Sequence, residues 1–469
     1  MQATLRRVAW GAGLACGLAL AWLCSVGLTS RRGKAGPASI ALELVSRDSF
    51  LGFGAEWDSR GYDEHGVTDE DFELIADRIR WMRLPVVRSM MQTKWCYLGQ
   101  GKFDWETPEM KRLYRQLDLC QREGITVLLT DWGCEPEWLR IPGVKDVADP
   151  VYAEAIGTYM DYLVNQRGYS CIKYFILVNE PNYEVGDWDR WKTGLENVAR
   201  VFAERHLDER VTLMGPDHSN ADEWLRNSVD QLRILLGAYE IHRYERDDVV
   251  RPGLLEGYLR QQLEYIRAND PESGGKPFVV GEAGLNDEAD HPYGNRRIDS
   301  YDYGLFMADY AVQAARAGAS AVSAWMLDDN SHPGFYWGMW TNKEKGLKLR
   351  PWFHAWSLLS RYFPKGCATY RTQQPSQDWR LLVASIPSGF GCRAWSICLV
   401  NRGPKPVDVN VKLPDAGRQH TKAFLYSKDT MVDLEGFPRP VWTGEVDLGQ
   451  ELHICSPPEA VLVQSTLPY

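Results

Sequence analysis

Tyr174-Phe175-Ile176-Leu177-Val178-Asn179-Glu180-Pro181-Asn182 is the stretch on which the reading of this chain turns. It opens as an unbroken apolar run and stops at a carboxylate. Strands of a parallel sheet are covered on both faces, so they read as continuous apolar runs rather than alternating ones. The Asn-Glu-Pro-Asn that follows marks the end of the strand and the opening of a loop. A second stretch has the same shape: Pro277-Phe278-Val279-Val280-Gly281-Glu282-Ala283-Gly284. One acid at a strand end reads equally well as a solvated loop residue. Two, each behind a buried-type strand, point to a pair of carboxyl groups at the C-terminal tips of a parallel barrel, where reacting groups sit.

Around these stretches, from residue 50 to residue 363, short apolar runs alternate with amphipathic helical segments eight times over. That alternation predicts an α/β fold closed as a (β/α)8 TIM barrel over residues 45–365. Thr68 is placed to cap the first helix, with acidic residues in the first turn. The other strand ends also carry polar or aromatic residues: Glu56 and Trp57, Arg88, Asp131 and Trp132, Asp217 and His218, His242 and Tyr244, and Trp325. His242 and Tyr244 stand two apart on an extended strand and so share a face. Asp131, Glu135 and Glu137 are rival acids on the third loop. After Gly366 the helical periodicity stops and short β-type runs follow at regular spacing. They predict an antiparallel β-sandwich over residues 366–469, with a strand from residues 38–46 joining it.

Asn179-Glu180-Pro181 after one strand, with Glu282 after a later one, resembles clan A of the glycoside hydrolases. The likeness covers most of residues 50–363 and extends to families 5, 30 and 39 without selecting one. It implies Glu180 as general acid/base and Glu282 as nucleophile of a double displacement. It also implies that Asn179 bonds the sugar 2-hydroxyl, that Arg88 keeps the nucleophile ionised, that the Tyr244 hydroxyl bonds it, that His242 contacts the site and that Trp325 floors it. Trp132 and His218 are further substrate-binding candidates at strand tips. Opposed environments are expected for the two acids. Arg88 and Tyr244 favour an ionised Glu282, and Glu180, near that charge and away from the cation, is raised. The activity implied is that of a retaining O-glycosyl hydrolase acting on β-linked neutral oligo- or polysaccharides. A non-catalytic carbohydrate-binding surface protein and a transglycosylase are the alternatives. No Gly-x-Ser-x-Gly elbow supports serine hydrolase chemistry.

Composition narrows the partners. The chain has 469 residues and a formal net charge of −10, leaving no basic surplus to neutralise nucleic acid or an acidic polysaccharide. Nineteen Trp exceed what core filling alone calls for, and flat aromatic faces also pack on sugar rings. Arg6 and Arg7 precede an apolar run over residues 8–28, with Arg31, Arg32 and Lys34 after it. Residues 1–35 therefore read as a signal peptide or an N-terminal membrane anchor, and either predicts a secreted chain or one on the outer face of a membrane. Eight cysteines follow that segment, four in the barrel and four after it, and some are expected to form disulfides within each part. No CxxC motif or His-rich cluster suggests a metal site, and no cofactor is expected.

Overall fold

The computed structural model describes residues 39–286, 294–372, 376–389, 392–413 and 417–469. The segment read as a signal peptide or anchor lies outside the described residues. Among the described residues, no helix is long and apolar enough to cross a membrane.

Eight parallel strands close into a barrel: β1 (Gly52–Glu56), β2 (Val86–Met91), β3 (Thr126–Asp131), β4 (Ile172–Leu177), β5 (Thr212–Ser219), β6 (Ala238–Glu245), β7 (Phe278–Leu285) and β8 (Ala321–Ala324). The last pairs with the first, from Ala321 opposite Gly52 to Ala324 opposite Ala55. Val86, Leu128, Ile176, Met214, Ala238, Val279 and Ala321, one from each of seven strands, pack together inside the barrel and fill it as a core. The surrounding helices start as the sequence leads one to expect. Thr68 accepts from Asp71 N–H while the Asp71 carboxylate accepts from Thr68 N–H, a capping box for helix Asp69–Met82. Pro108, Pro150 and Pro351 each occupy a first helical turn, where the missing N–H leaves no intrahelical bond unmade.

Two strands run further than their apolar cores. A proline after Gly215 suggests the end of β5, yet β5 continues to Ser219. The pairing with β6 shifts by one residue there, Pro216 opposite Glu240 and His218 opposite Ile241, so Asp217 is the extra residue of a bulge next to the proline. Likewise β6 extends past Ile241 to Glu245, paired with β7 along that length. Both extensions carry charged side chains beyond the apolar core to the C-terminal rim.

The remainder of the chain forms a two-sheet sandwich. Its larger sheet has the strand order Trp442–Asp447, Arg418–Tyr426, Ala460–Ser465, Cys392–Asn401, Trp379–Gly389, Ala368–Thr372, Leu42–Ser46. The smaller joins Ser39–Ile40, Val407–Val411 and Leu452–Ser456. Leu42–Ser46 lies antiparallel to Ala368–Thr372, so chain from before the barrel is built into the sheet that follows it. Leu381, Val383, Trp395, Ile397 and Leu399 meet Val409, Val411 and Ile454 between the sheets. The sandwich packs on helix Tyr301–Ala317, which is buried along nearly its whole length. Its small residues are a consequence: a Cβ on Gly304 would lie 2.1 Å from the Tyr426 hydroxyl.

The expected disulfides are not found. All eight described cysteines are free, and six of them are buried. Cys120, Cys367 and Cys398 are fully enclosed in the apolar core, where the thiol fills space as a small hydrophobe.

Asp309, fully buried on helix Tyr301–Ala317, is the polar tie between barrel and sandwich. It lies 3.1 Å from Arg380 and 3.4 Å from Arg402. Removing one member of a buried charge set strands the others, at about 3–5 kcal/mol. Asp309→Ala is expected to lower the unfolding free energy by that amount in chemical denaturation. A loss below about 1 kcal/mol would mean that the other polar ties, Arg316 to the Leu381 carbonyl and Arg402 to Asp247 among them, hold the two parts together without it.

Candidate active site

The strand tips converge on Arg88, the third residue of β2 and fully buried. Its Nη1 donates to Glu282 Oε1 at 2.8 Å, and Nη2 donates to both Asn179 Oδ1 and Asp217 Oδ2 at 2.8 Å. One guanidinium thus links β2 with β7, with the loop after β4, and with β5. That loop is tightly wound. Val178 and Glu180 adopt left-handed backbone conformations (φ 68° and 43°), and Asp217 does so on β5 (φ 64°). Such conformations cost non-glycine residues about 1–3 kcal/mol each and persist only where surroundings enforce them. Here Glu180 N–H donates to Asp217 Oδ2 at 3.2 Å, and the Asn182 amide bonds both the N–H and the carbonyl of Ser219 at 3.0 Å.

Glu282 is held at both oxygens, Oε1 by Arg88 and Oε2 by the Tyr244 hydroxyl at 2.6 Å. Glu180 bonds His242 Nδ1 through Oε1 at 2.9 Å, and the same nitrogen is 3.5 Å from Glu282 Oε1. An oxygen of each glutamate and a nitrogen of His242 all lie within 4.8 Å of one another. Glu180 is the outer of the pair: its side chain is 24% exposed against 6% for Glu282. Trp325, Met90, Met326 and Trp337 form a buried apolar wall beside them, with Trp132, Tyr244 and Phe335 packed on it.

The electrostatic order of the two glutamates is the reverse of the sequence expectation. Burial pushes Glu282 up, and the opposing charges of His242 and Arg88 and the Tyr244 bond do not fully offset it. Burial also acts on Glu180, but the bond to His242 and its charge outweigh it and hold Glu180 below the usual carboxylate range. The expectation counted only Arg88 as a cation. Burial opposes charge on His242, yet Glu282, Asp217 and Glu240 together raise it well above an ordinary histidine, so the second cation stands against Glu180.

His218 is brought to the edge of this group. Its Nδ1 accepts from Ala221 N–H at 3.1 Å, it bonds neither glutamate, and burial lowers it to about 4, so it is a neutral imidazole. The rival acids have other work. Asp131 is buried and accepts from the hydroxyls of Thr93, Tyr152 and Tyr159 at 2.5–2.8 Å. Glu135 accepts from Val147 N–H, and Glu137 is exposed.

Three residues in the site carry no signal strong enough to separate them in sequence. Asp217 resembles every other strand-end acid, and Glu240 sits inside an apolar run. Glu56 is fully buried at the tip of β1, bonded by His332 Nε2 at 3.0 Å, and burial and the charge of Glu282 push it up to about 8. The pairing of a charged residue inside a strand (Glu240) with a glycine beside a catalytic-type acid on the next (Gly281) is the one sequence signal available. A Cβ on Gly281 would lie 1.5 Å from Glu240 Oε1.

Glu56, Asp58 and His332, and separately Asp217, Glu240 and His242, bring donor atoms close enough for a metal ion. Neither set suits one. Arg60 bonds His332 Nδ1, which fixes the proton on the Nε2 that faces the carboxyls, and Arg88 already occupies Asp217.

The barrel-and-sandwich fold is shared with solved enzyme structures. A glycoside hydrolase family 30 subfamily 8 xylanase from Clostridium acetobutylicum superposes with a TM-score of 0.62 at 12% identity, over 90% of this chain and 97% of its own. A family 39 enzyme from Xanthomonas axonopodis pv. citri gives 0.62 at 14%, over 94% and 99%. An α-L-arabinofuranosidase from Thermotoga maritima gives 0.61 at 13%, over 92% and 98%. No protein-family model and no curated protein matches the chain.

Arg88→Met is expected to cost about 3–5 kcal/mol at pH 7, because Asp217 and Glu282 would both lose the guanidinium that offsets their buried charge. Despite its burial, Asp217 is held well below the usual range by Arg88 and His242. Its folded pKa is therefore below its unfolded one. The stability it contributes is present above about pH 4 and is lost as the pH falls through the folded value. Unfolding midpoints of wild type and variant should begin to draw together only below about pH 4, with much of the gap still present at about pH 3, because the folded value lies well below that.

Proposed function

We propose that the protein is a retaining glycoside hydrolase of clan A that acts on β-linked neutral glycans. The observation that carries this reading is the glutamate pair at the tips of β4 and β7, with Glu282 fixed at both oxygens by Arg88 and Tyr244. Carboxyl groups about 5–5.5 Å apart suit attack by one of them on the anomeric carbon, whereas inversion needs about 6.5–9.5 Å to admit a water. The close approach of Glu180 and Glu282 supports the first. The solved neighbours include enzymes named as xylanases and an arabinofuranosidase, which supports a glycan substrate.

In this mechanism Glu282 attacks the anomeric carbon as the bond to the leaving oxygen breaks, and Glu180 delivers a proton to that oxygen. Water then attacks the glycosyl-enzyme ester, giving its proton to Glu180 and releasing Glu282. The proton Glu180 needs resides in the free site on the His242–Glu282 side. His242 Nδ1, 2.9 Å from Glu180 Oε1, is the atom that can return it. Asn179, oriented by Arg88, stands beside the glutamates to bond the 2-hydroxyl. Trp325 and Trp132 provide apolar faces for the sugar. The apolar run over residues 8–28 supports export or anchoring, which would present the site to extracellular glycan.

Two variants test the roles. Glu282→Ala should abolish turnover of every substrate, with circular dichroism unchanged. Glu180→Ala should lower kcat/KM on natural glycans by about 10²–10⁴ and far less on aryl glycosides, whose leaving groups need no proton. Reducing-sugar release from β-glucans, mannans, xylans and galactans, with NMR of the first-formed anomer, gives substrate and stereochemistry together. An inverted first product, or equal losses on both substrate types, would overturn the assignment.

A further inference from the structure

Beneath the catalytic pair lies a second pair of carboxyl groups that the double displacement does not use. His242 turns Nδ1 to Glu180 and Glu282. Its Nε2 faces Asp217 Oδ1 at 3.3 Å and Glu240 Oε1 at 3.4 Å, neither contact being aligned as a hydrogen bond. Glu240 is fully buried, and neither of its oxygens is hydrogen-bonded. It projects into the space left by the missing side chain of Gly281, the residue next to Glu282. Every element around His242 contributes a charge: Arg88 from β2, Glu180 after β4, Asp217 from β5, Glu240 from β6 itself and Glu282 from β7, with the neutral His218 nearby. Two cations thus face four carboxyl groups in a buried space. An unbalanced buried charge costs several kcal/mol, so with both cations charged two of the four carboxyls must keep a proton.

We infer that Glu240 is a positioning residue: seated in the Gly281 gap under Nε2, it holds one of those two protons and, through His242, governs how tightly the catalytic pair keeps the other. This rests on the hydrolase reading for its link to catalysis. Burial and the charge of Asp217 push Glu240 up to about 8, consistent with a carboxyl that is protonated at neutral pH. As the pH rises past that value Glu240 ionises. Its negative charge beneath His242 then favours retention of the proton shared with Glu180 and Glu282, and so postpones the alkaline loss of activity.

Glu240→Gln keeps the shape and removes the titration. In the full chain, the alkaline limb of the kcat/KM profile should move down by about one pH unit, with a much smaller change on the acid limb. The His242 ring-nitrogen NMR signals should titrate at correspondingly lower pH. This readout needs no turnover, so a failed hydrolase assignment and a failed Glu240 assignment remain distinguishable. Stability supplies a third readout. Folding takes up a proton at Glu240 between its unfolded value near 4.5 and about 8. Wild-type stability therefore falls across that range, and the variant should gain unfolding midpoint relative to wild type from pH 5 to pH 8. A His242 titration identical to wild type, or a uniform loss of activity and stability at every pH, would overturn the inference. Should Glu240→Gln not fold, Glu240→Asp, which draws the carboxyl back from Nε2, should shift the His242 titration, and an unmoved titration would again overturn it.

Discussion

Arg88 sends one amino group to Glu282 and the other to Asn179 and Asp217, all at 2.8 Å and all out of water. A guanidinium suits this place because its donors form a rigid planar fork, and a lysine ammonium could not span three acceptors in fixed directions. Desolvating the charge is costly, and the offset comes from two carboxylates that lie on different strands. The bonds therefore reward only the arrangement in which β2, β5, β7 and the turn after β4 meet. The left-handed residues Val178, Glu180 and Asp217 are held by the same network, since Asp217 accepts from both Arg88 and the backbone of Glu180. Rigidity at the strand tips and polarity at the site are thus two results of one interaction.

His242 is the pivot of the electrostatics because its charge is not a property of its residue type. An isolated histidine buried this fully would be neutral, as His332 and His218 are, both lowered by burial, to about 3 and about 4. His242 differs only in facing four carboxyl groups. That is why the order of Glu180 and Glu282 inverts relative to the sequence argument, which treated Arg88 as the sole cation. The inversion does not conflict with an acid role for Glu180. On the hydrolase reading, the proton that Glu180 would transfer lies one hydrogen bond away, on a group that contacts both glutamates.

The barrel was legible from sequence because its signals are local and redundant: Ile125 to Thr130 and Phe175 to Val178 cannot be solvated strands, and Thr68 and three helix-opening prolines mark the helices between them. The spacing of His242 and Tyr244 likewise required a shared face, and both do reach the glutamates. What was not legible depends on partners distant in the chain. Glu240 in an apolar run looks like a solvent-facing position until Gly281 is brought beside it. Asp328 and Asp329, in the loop after β8, are each engaged in folding that loop: Asp328 accepts from Tyr62 and two backbone N–H groups, and Asp329 from Arg350, Trp337 and Gly338. The cysteines show the same limit, since their number could not tell that six of the eight are buried and all are free thiols.

The solved structures that share this fold bear different names, a xylanase and an α-L-arabinofuranosidase among them, so the barrel-and-sandwich frame does not by itself select a ligand. In this chain Arg88 and Tyr244 are committed to Glu282, and His242 to Glu180. Above them stand the loops over the site. Their construction is distinctive. Arg60, from the loop after β1, packs on Trp132 at 4.7 Å and bonds His332 from the loop after β8, and His332 lies 5.1 Å from the Trp325 ring. Trp138, Tyr183 and Tyr336 are large aromatics left exposed, on the loops after β3, β4 and β8. The glutamates are fixed from below by two buried cations, Arg88 on Glu282 and His242 on Glu180, and the rim meets that network where Trp337 packs on Tyr244 at 5.8 Å. The charged network below and the aromatic rim above therefore meet at Tyr244, whose hydroxyl fixes Glu282 and whose ring carries Trp337.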